Sequence, residues 1–277
     1  DRVATTRIHR MWVTPGTNDK DSPLLAVGAA VFGGLSSSRL DNELVRKEQV
    51  AVRVTASLQQ FEQVGFVEVT ADVKPGVDPE LVSKKLDEML ADYIKTGPTA
   101  DEVTRVATGQ VSSQIAGLEV VGGFGGKATT LAEGLLYSGD PAQYKKDLAA
   151  IASATPAAVT AAMQRWLTRP VYALKVEPGE RDAYEDAAVS APGEQEQKAA
   201  EAAPAPKLKM PEPTANPALD FPTVETATLA NGVKVHLARR TTVPAVRIAV
   251  SFDAGMASDR KDKLGLASLM LSLLDEG

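Results

Sequence analysis

Between residues 179 and 217 the chain almost stops supplying the large apolar side chains from which a core is built, and this gap constrains how everything else can fold. The stretch is rich in Ala, Pro, Glu and Lys, a composition that buries too little surface to offset the entropy lost on ordering it. Its APAPKLKMPEPTANP portion favours the extended polyproline conformation and reads as a semi-rigid linker. The segments on its two sides must then fold around separate cores, residues 1–178 as one domain and residues 218–277 as the opening of a second.

The first segment mixes two periodicities. An apolar-rich strand runs from Arg7 to Thr14, and an apolar run from Leu24 to Phe32 comes next as a helix, with Ser22 as its cap, Pro23 in its first turn and Gly33-Gly34 at its end. Ser37 or Ser38 is placed to cap a second short helix through Leu40 and Leu44. Residues 50–58 and 64–73 alternate as an antiparallel hairpin, the first placing Val50, Val52 and Val54 on one face, the second Val67, Val69, Ala71 and Val73.

The helices after the hairpin are well punctuated. Asp78-Pro79 starts one striped by Val82, Leu86, Met89, Leu90 and Tyr93, and Gly97-Pro98 ends it. Thr99 and Glu102 form a capping box for the next, striped by Val103, Ala107, Val111 and Ile115. Asp140-Pro141 and Thr155-Pro156 open two more, and residues 171–176 close the unit as a strand. Hairpins combined with consecutive helices predict an α+β fold, a two-layer antiparallel sheet packed with helices.

Beyond the linker, Leu229-Ala230-Asn231-Gly232 predicts a tight turn between strands, with His236 on the face opposite Val233, Val235 and Leu237. A strand over 246–252 and a helix over 263–275 are expected next, the helix burying Leu266, Leu269, Met270, Leu273 and Leu274.

Charge and residue usage narrow the chemistry. A net charge of -6, without Lys/Arg blocks interleaved with aromatics, gives no field for gathering phosphates and argues against nucleic acid as a partner. No apolar run approaches the ~20 residues of a membrane span. Zero cysteines remove thiolate ligands and Cys nucleophiles. The two histidines, His9 and His236, flank the linker, so neither offers a second imidazole nearby and both read as surface residues. Gly123-x-Gly125-x-x-Ala128 imitates a dinucleotide fingerprint, yet it lacks a surrounding βαβ unit and Ala128 comes after Lys127 where a phosphate loop needs Ser or Thr. It reads as a helix junction. Gly33-Gly34 with Ser36, Ser37, Ser38 and Arg39 is a turn whose Arg39 is the candidate for touching a peptide.

The run LANGVKVHLARR, then VSFDAG, then GLASLMLSLLDEG resembles the opening of a pitrilysin/insulinase-type zinc metallopeptidase domain. In active members the corresponding helix carries His-x-x-Glu-His, two zinc ligands one turn apart beside the carboxylate that deprotonates water. Ser268, Leu271 and Ser272 stand at those positions here, so the resemblance implies a degenerate half. Residues 1–178 resemble the family's second, non-catalytic domain through FGGLSSSRLDNELV, the hairpin, the GPTADEV helix start and VGGFGGKA. Val45 and Val52 occupy the places of the Arg/Tyr pair that holds substrate in the family's last domain.

The resemblance implies an internal portion of a zinc-dependent metalloendopeptidase of the mitochondrial-processing-peptidase-like type, a hydrolase that encloses and cleaves peptides. Zinc would be held by a catalytic domain preceding Asp1 and none by this chain, so no catalytic or metal residue is expected here and the substrate-binding residues are left unassigned. Its partners would be peptide substrate and the missing catalytic and C-terminal domains, with a periplasmic or cell-envelope location as in bacterial relatives. A structural or assembly relative without peptidase activity is the alternative.

Overall fold

The computed structural model describes residues 3–180, 221–241 and 246–274. Residues 181–217 of the expected linker and the last residue of the expected terminal helix lie outside that set. The chain divides into two compact units, Asp1–Arg239 and Arg240–Gly277.

In the first unit, β1 (Arg7–Pro15), β2 (Ala51–Gln60), β3 (Val64–Val73) and β4 (Tyr172–Val176) form an antiparallel sheet in the order β2-β3-β1-β4. The register sets Ile8 opposite Ala71, Arg10 opposite Val69 and Trp12 opposite Val67, so alternate residues of β1 and β3 share one face. That face is covered by α1 (Ser22–Ala29), α2 (Pro79–Thr96), α3 (Ala100–Gly117) and α6 (Pro156–Leu167). The core joins Ile8, Trp12, Val67, Val69 and Ala71 to Leu25, Phe32, Leu86, Tyr93, Val103 and Met163. Each large apolar side chain among them contributes about 1.5–3 kcal/mol on leaving water. The α+β two-layer expectation holds.

Local punctuation behaves as the sequence indicates. The Asp78 carboxylate accepts from Glu80 N at 3.0 Å and starts α2. Gly97 ends it at φ +72°, a conformation costly for any residue with a Cβ. In the capping box Thr99 N donates to Glu102 Oε2 at 2.7 Å, while Glu102 N donates to Thr99 Oγ1 at 3.3 Å.

Three local expectations fail for tertiary reasons. Ser22 does not cap α1, since its hydroxyl donates back to Gly16 O at 2.7 Å and Asp21 occupies the boundary without making a side-chain cap. Val52 does not share a face with Val54, because the register shifts between Ala51 and Arg53 and leaves Val52 as a bulged, half-exposed residue. Neither Ser37 nor Ser38 caps the next helical turn through its hydroxyl. Ser38 Oγ is buried without a partner, and the backbone carbonyls of Ser37 and Ser38 accept from Asn42 instead.

The end of α1 widens into a π-turn over Ala30–Gly34, and a second π-turn spans Asp41–Lys47. Gly33 is required at the first because a Cβ there would meet Ala56 N at 2.7 Å, against β2. α4 (Lys127–Ser138) starts at the end of the glycine-rich junction Gly123–Ala128, and α5 (Gln143–Ala152) comes after it with no fully buried residue.

The strands β5 (Val224–Thr228) and β6 (Lys234–Ala238) pair with each other around the expected turn, where Asn231 Oδ1 accepts from Val233 N at 3.2 Å. In the second unit, residues 246–252 form no strand, and Val246, Ile248, Val250 and Phe252 are exposed. α7 (Leu266–Ser272) is shorter than expected, and Leu266, Leu269, Met270, Leu273 and Leu274 are exposed as well. An alternating strand and a striped helix both need a partner layer, which no described residue of that unit provides.

Candidate functional site

The sheet face turned away from the helices is the candidate surface of the first unit. Register brings Arg7, His9, Met11 and Val13 of β1 beside Asp72, Glu68 and Phe66 of β3, with Leu174 and Tyr172 of β4 on the other side. Three polar pairs cross its strands. Arg7 Nη2 donates to Asp72 Oδ2 at 2.9 Å, His9 Nδ1 lies 2.8 Å from Glu68 Oε1, and the hydroxyls of Thr55 and Thr70 meet at 2.7 Å. Arg53, Ser57 and Gln59 of β2 stand exposed on the same face, beside the largely exposed apolar Val13 and Tyr172. The face thus mixes exposed apolar side chains, cross-strand polar pairs and the exposed polar side chains of β2.

The FGGLSSSRL segment serves the core. Arg39 donates from Nε to Glu102 Oε1 at 2.8 Å and from Nη2 to Glu102 Oε2 at 2.7 Å, and its guanidinium lies 4.8 Å from the centroid of the Tyr93 ring. Tyr93 in turn stacks on Phe32 with centroids 4.9 Å apart and donates its buried hydroxyl to Gly28 O at 2.9 Å. Burial pushes the Tyr93 phenol well above its ordinary range. Arg39, the candidate peptide contact, is thus engaged through both the plane and the edge of its guanidinium.

The glycine-rich loop before α4 is closed on itself. Lys127 N donates to Val120 O at 2.8 Å and Ala128 N to Val121 O at 2.9 Å. The N–H groups a phosphate would need are thereby taken, and the loop does not come after a strand.

Nothing in this donor set fits zinc. His9 is hydrogen-bonded to Glu68, and among the described residues no group of three or more His, Cys, Asp or Glu stands together. His236 lies on the exposed β6. On α7, Ser272 Oγ donates to Ser268 O at 2.9 Å, and Leu271 between them has no proton-accepting atom. In the first unit, Val45 lies in the second π-turn, packed against the core, while Val52 sits on the bulge of β2. Neither side chain offers a hydrogen bond to a substrate carbonyl.

Asp21, which carries no motif in the sequence, ties the start of α1 to α6. Its buried carboxylate accepts from Trp166 Nε1 at 2.9 Å and from Arg165 Nη1. Nothing local signals this pairing, since the partners lie 144 and 145 residues away.

Residues 1–109, which build β1 to β3, α1, α2 and the first part of α3, match the family model of the peptidase M16 inactive domain. Solved structures share the fold. A protease from Helicobacter pylori matches at 18% identity and a TM-score of 0.53, over 60% of this chain and 39% of that one. The inactive peptidase domain of a Bordetella parapertussis protein named as a zinc protease matches at 20% identity and a TM-score of 0.57, over 66% of this chain and 97% of that one. The periplasmic protease PqqL from Escherichia coli matches at 16% identity and a TM-score of 0.51, over 65% of this chain and 20% of that one. The chain thus spans well under two thirds of the first and third of these proteins. No curated protein matches the sequence.

Proposed function

We propose that this chain, which carries a peptidase M16 inactive domain at residues 1–109, is the non-catalytic portion of a zinc-dependent metalloendopeptidase and helps to enclose the peptide that a separate domain cleaves. The observation that carries the reading is the pairing of that domain match with an α7 that bears Ser268, Leu271 and Ser272 where water activation needs imidazoles and a carboxylate. The bare sheet face, with Met11, Val13, Leu174 and Tyr172 between internally paired charges, is the wall offered to an extended peptide. Residues 179–217 are the linker between a domain at 1–178 and a second at 218–277. The parent protein resides in the periplasm or cell envelope, in keeping with the compartment printed for the Escherichia coli neighbour.

Purified chain, dialysed against zinc and challenged with an unfolded peptide, tests this directly. The expected result is no stoichiometric zinc by elemental analysis and no cleavage product by mass spectrometry. One tightly held zinc per chain accompanied by cleavage overturns the non-catalytic assignment. The wall role is read separately by photo-crosslinking a labelled peptide, which is expected to mark the β1 and β4 outer face. Labelling confined elsewhere removes that role.

A further inference from the structure

Past Ala107, α3 loses close contact with the core. Val103, Val106 and Ala107 are buried, whereas Val111 and Ile115, expected on the same stripe, are only half-buried. The helices that come next do not fill the space. α4 buries only Gly134 and turns Leu131, Leu135 and Leu136 outward, and α5 buries no residue fully. Helices close on one another through interdigitating side chains, so large side chains that point away leave a gap. The gap here is an open cavity of about 830 Å³, lined by α1, the first π-turn, α3, the glycine-rich loop, α4 and α5. It falls within the ~300–1,000 Å³ range of small-molecule sites.

Ala26, Ala30, Leu35, Val106 and Ile151 give the cavity an apolar wall. Two acceptors in the lining lack a donor. Gln110 Oε1 is buried without a partner, and Glu133, on the exposed side of α4, has no hydrogen-bond or ion-pair partner among the described residues. Arg105, the cation in the lining, is already drawn to Asp101 one turn back, with Nη1 at 3.4 Å from Oδ2. It also stands five residues before Gln110, ~7.5 Å away along the helix axis. The Glu133 carboxylate is thus the charge left unbalanced. A buried acceptor without a donor has lost its water for no return, and a bound N–H restores what it lost.

We infer that this cavity is a binding site for a small amphipathic cation, an ammonium, amidinium or guanidinium carried on an apolar body. Its N–H groups donate to Gln110 Oε1 and to the Glu133 carboxylate, while its body lies against the apolar wall. An anion finds only Arg105, which Asp101 already matches, and a neutral apolar molecule leaves Gln110 Oε1 without its donor. The site lies among the helices, on the other side of the sheet from the bare face, so its ligand does not compete with a peptide there. Instead it bridges α1, α3, α4 and α5, two of which bury little of their own.

The experiment is calorimetric titration of the 277-residue chain with benzamidine, an amidinium on an apolar ring, beside benzyl alcohol and benzoate as its neutral and anionic counterparts. Benzamidine is expected to bind at one site, at least about 10-fold more tightly than either. E133Q and Q110L are each expected to weaken it about 10-fold or more. G109L is expected to weaken it by occupying the cavity, since a Cβ on Gly109 meets no atom within 4 Å. E88Q removes the same charge from the exposed face of α2, outside the lining, and is expected to leave binding unchanged. Circular dichroism checks each variant, and E133Q, which alters an exposed side chain, decides if Q110L or G109L does not fold. Benzamidine bound no more tightly than benzyl alcohol, equal losses with E133Q and E88Q, or full affinity in a folded E133Q overturns the inference.

Discussion

Arg39 and Glu102 meet in a two-point ion pair, Nε to Oε1 at 2.8 Å and Nη2 to Oε2 at 2.7 Å, that ties the turn after α1 to the first turn of α3. The same guanidinium reaches Gly97 O at 3.1 Å and covers the Tyr93 ring. A single arginine therefore joins the end of α2, the start of α3 and the aromatic core beneath them. Replacing it with Ala is expected to cost about 2–3 kcal/mol, the range for charged hydrogen bonds with a cation–π contact added. Urea unfolding of R39A measures this, and R39K should recover only part of the loss because an ammonium cannot make the parallel contacts.

The pair also sets an acid limit. The hydrogen bond from Arg39 and those from Thr99 hold the Glu102 carboxyl down at about 2, against the opposing effect of burial. Its ordinary value is 4.5, so the unfolded chain binds this proton more readily than the folded one. The stabilisation is complete above about pH 4.5 and is lost as pH falls toward 2. Thermal scans between about pH 5 and 2 should show a shallower decline for E102Q than for the native chain, and identical slopes would refute the assignment.

Tyr93→Phe removes only the hydroxyl that donates to Gly28 O at 2.9 Å, leaving the stack on Phe32 in place. A loss of about 1–2 kcal/mol is expected, with the secondary structure unchanged. Denaturant midpoints of the two proteins, compared at constant slope, give the value.

Asp21 is held by residues of α6, and Asp21→Ala leaves the Trp166 indole and the Arg165 guanidinium without their acceptor. The expected cost is about 1.5–3 kcal/mol. Tryptophan emission should move to the red, because Trp166 turns toward water while Trp12 stays 3% exposed in the core. Unshifted emission in the folded variant argues against the contact.

Gly33→Ala drives a methyl into Ala56, at 2.7 Å from its nitrogen and 2.8 Å from its Cβ. The π-turn and β2 must separate, at about 1–3 kcal/mol. Gly34→Ala, whose nearest neighbour is the Ala30 Cβ at 3.1 Å, should cost less. Melting temperatures of the two variants provide the comparison.

The readings that held are those resting on groups a few residues apart. The Asp78 cap, the Thr99–Glu102 box and the Asn231-Gly232 turn each close hydrogen bonds between residues two or three apart. The β3 face and the α2 stripe were legible for a related reason, since periodicity records which side of an element meets a core. The outer sheet face was not legible, because which residues of β1, β3 and β4 stand beside one another is set by register between strands far apart in sequence.

What the sequence by itself determined is thus the class of fold and the punctuation at Asp78, Thr99–Glu102 and Asn231-Gly232, because these depend on local backbone preferences and side-chain identity. The tertiary structure alone decided that Val52 sits on a bulge, that Asp21 meets Arg165 and Trp166, that Arg39 belongs to Glu102, and that α4 turns its leucines outward. Each of those outcomes depends on surfaces brought together from distant parts of the chain, where packing and charge pairing outweigh the preferences of any single segment.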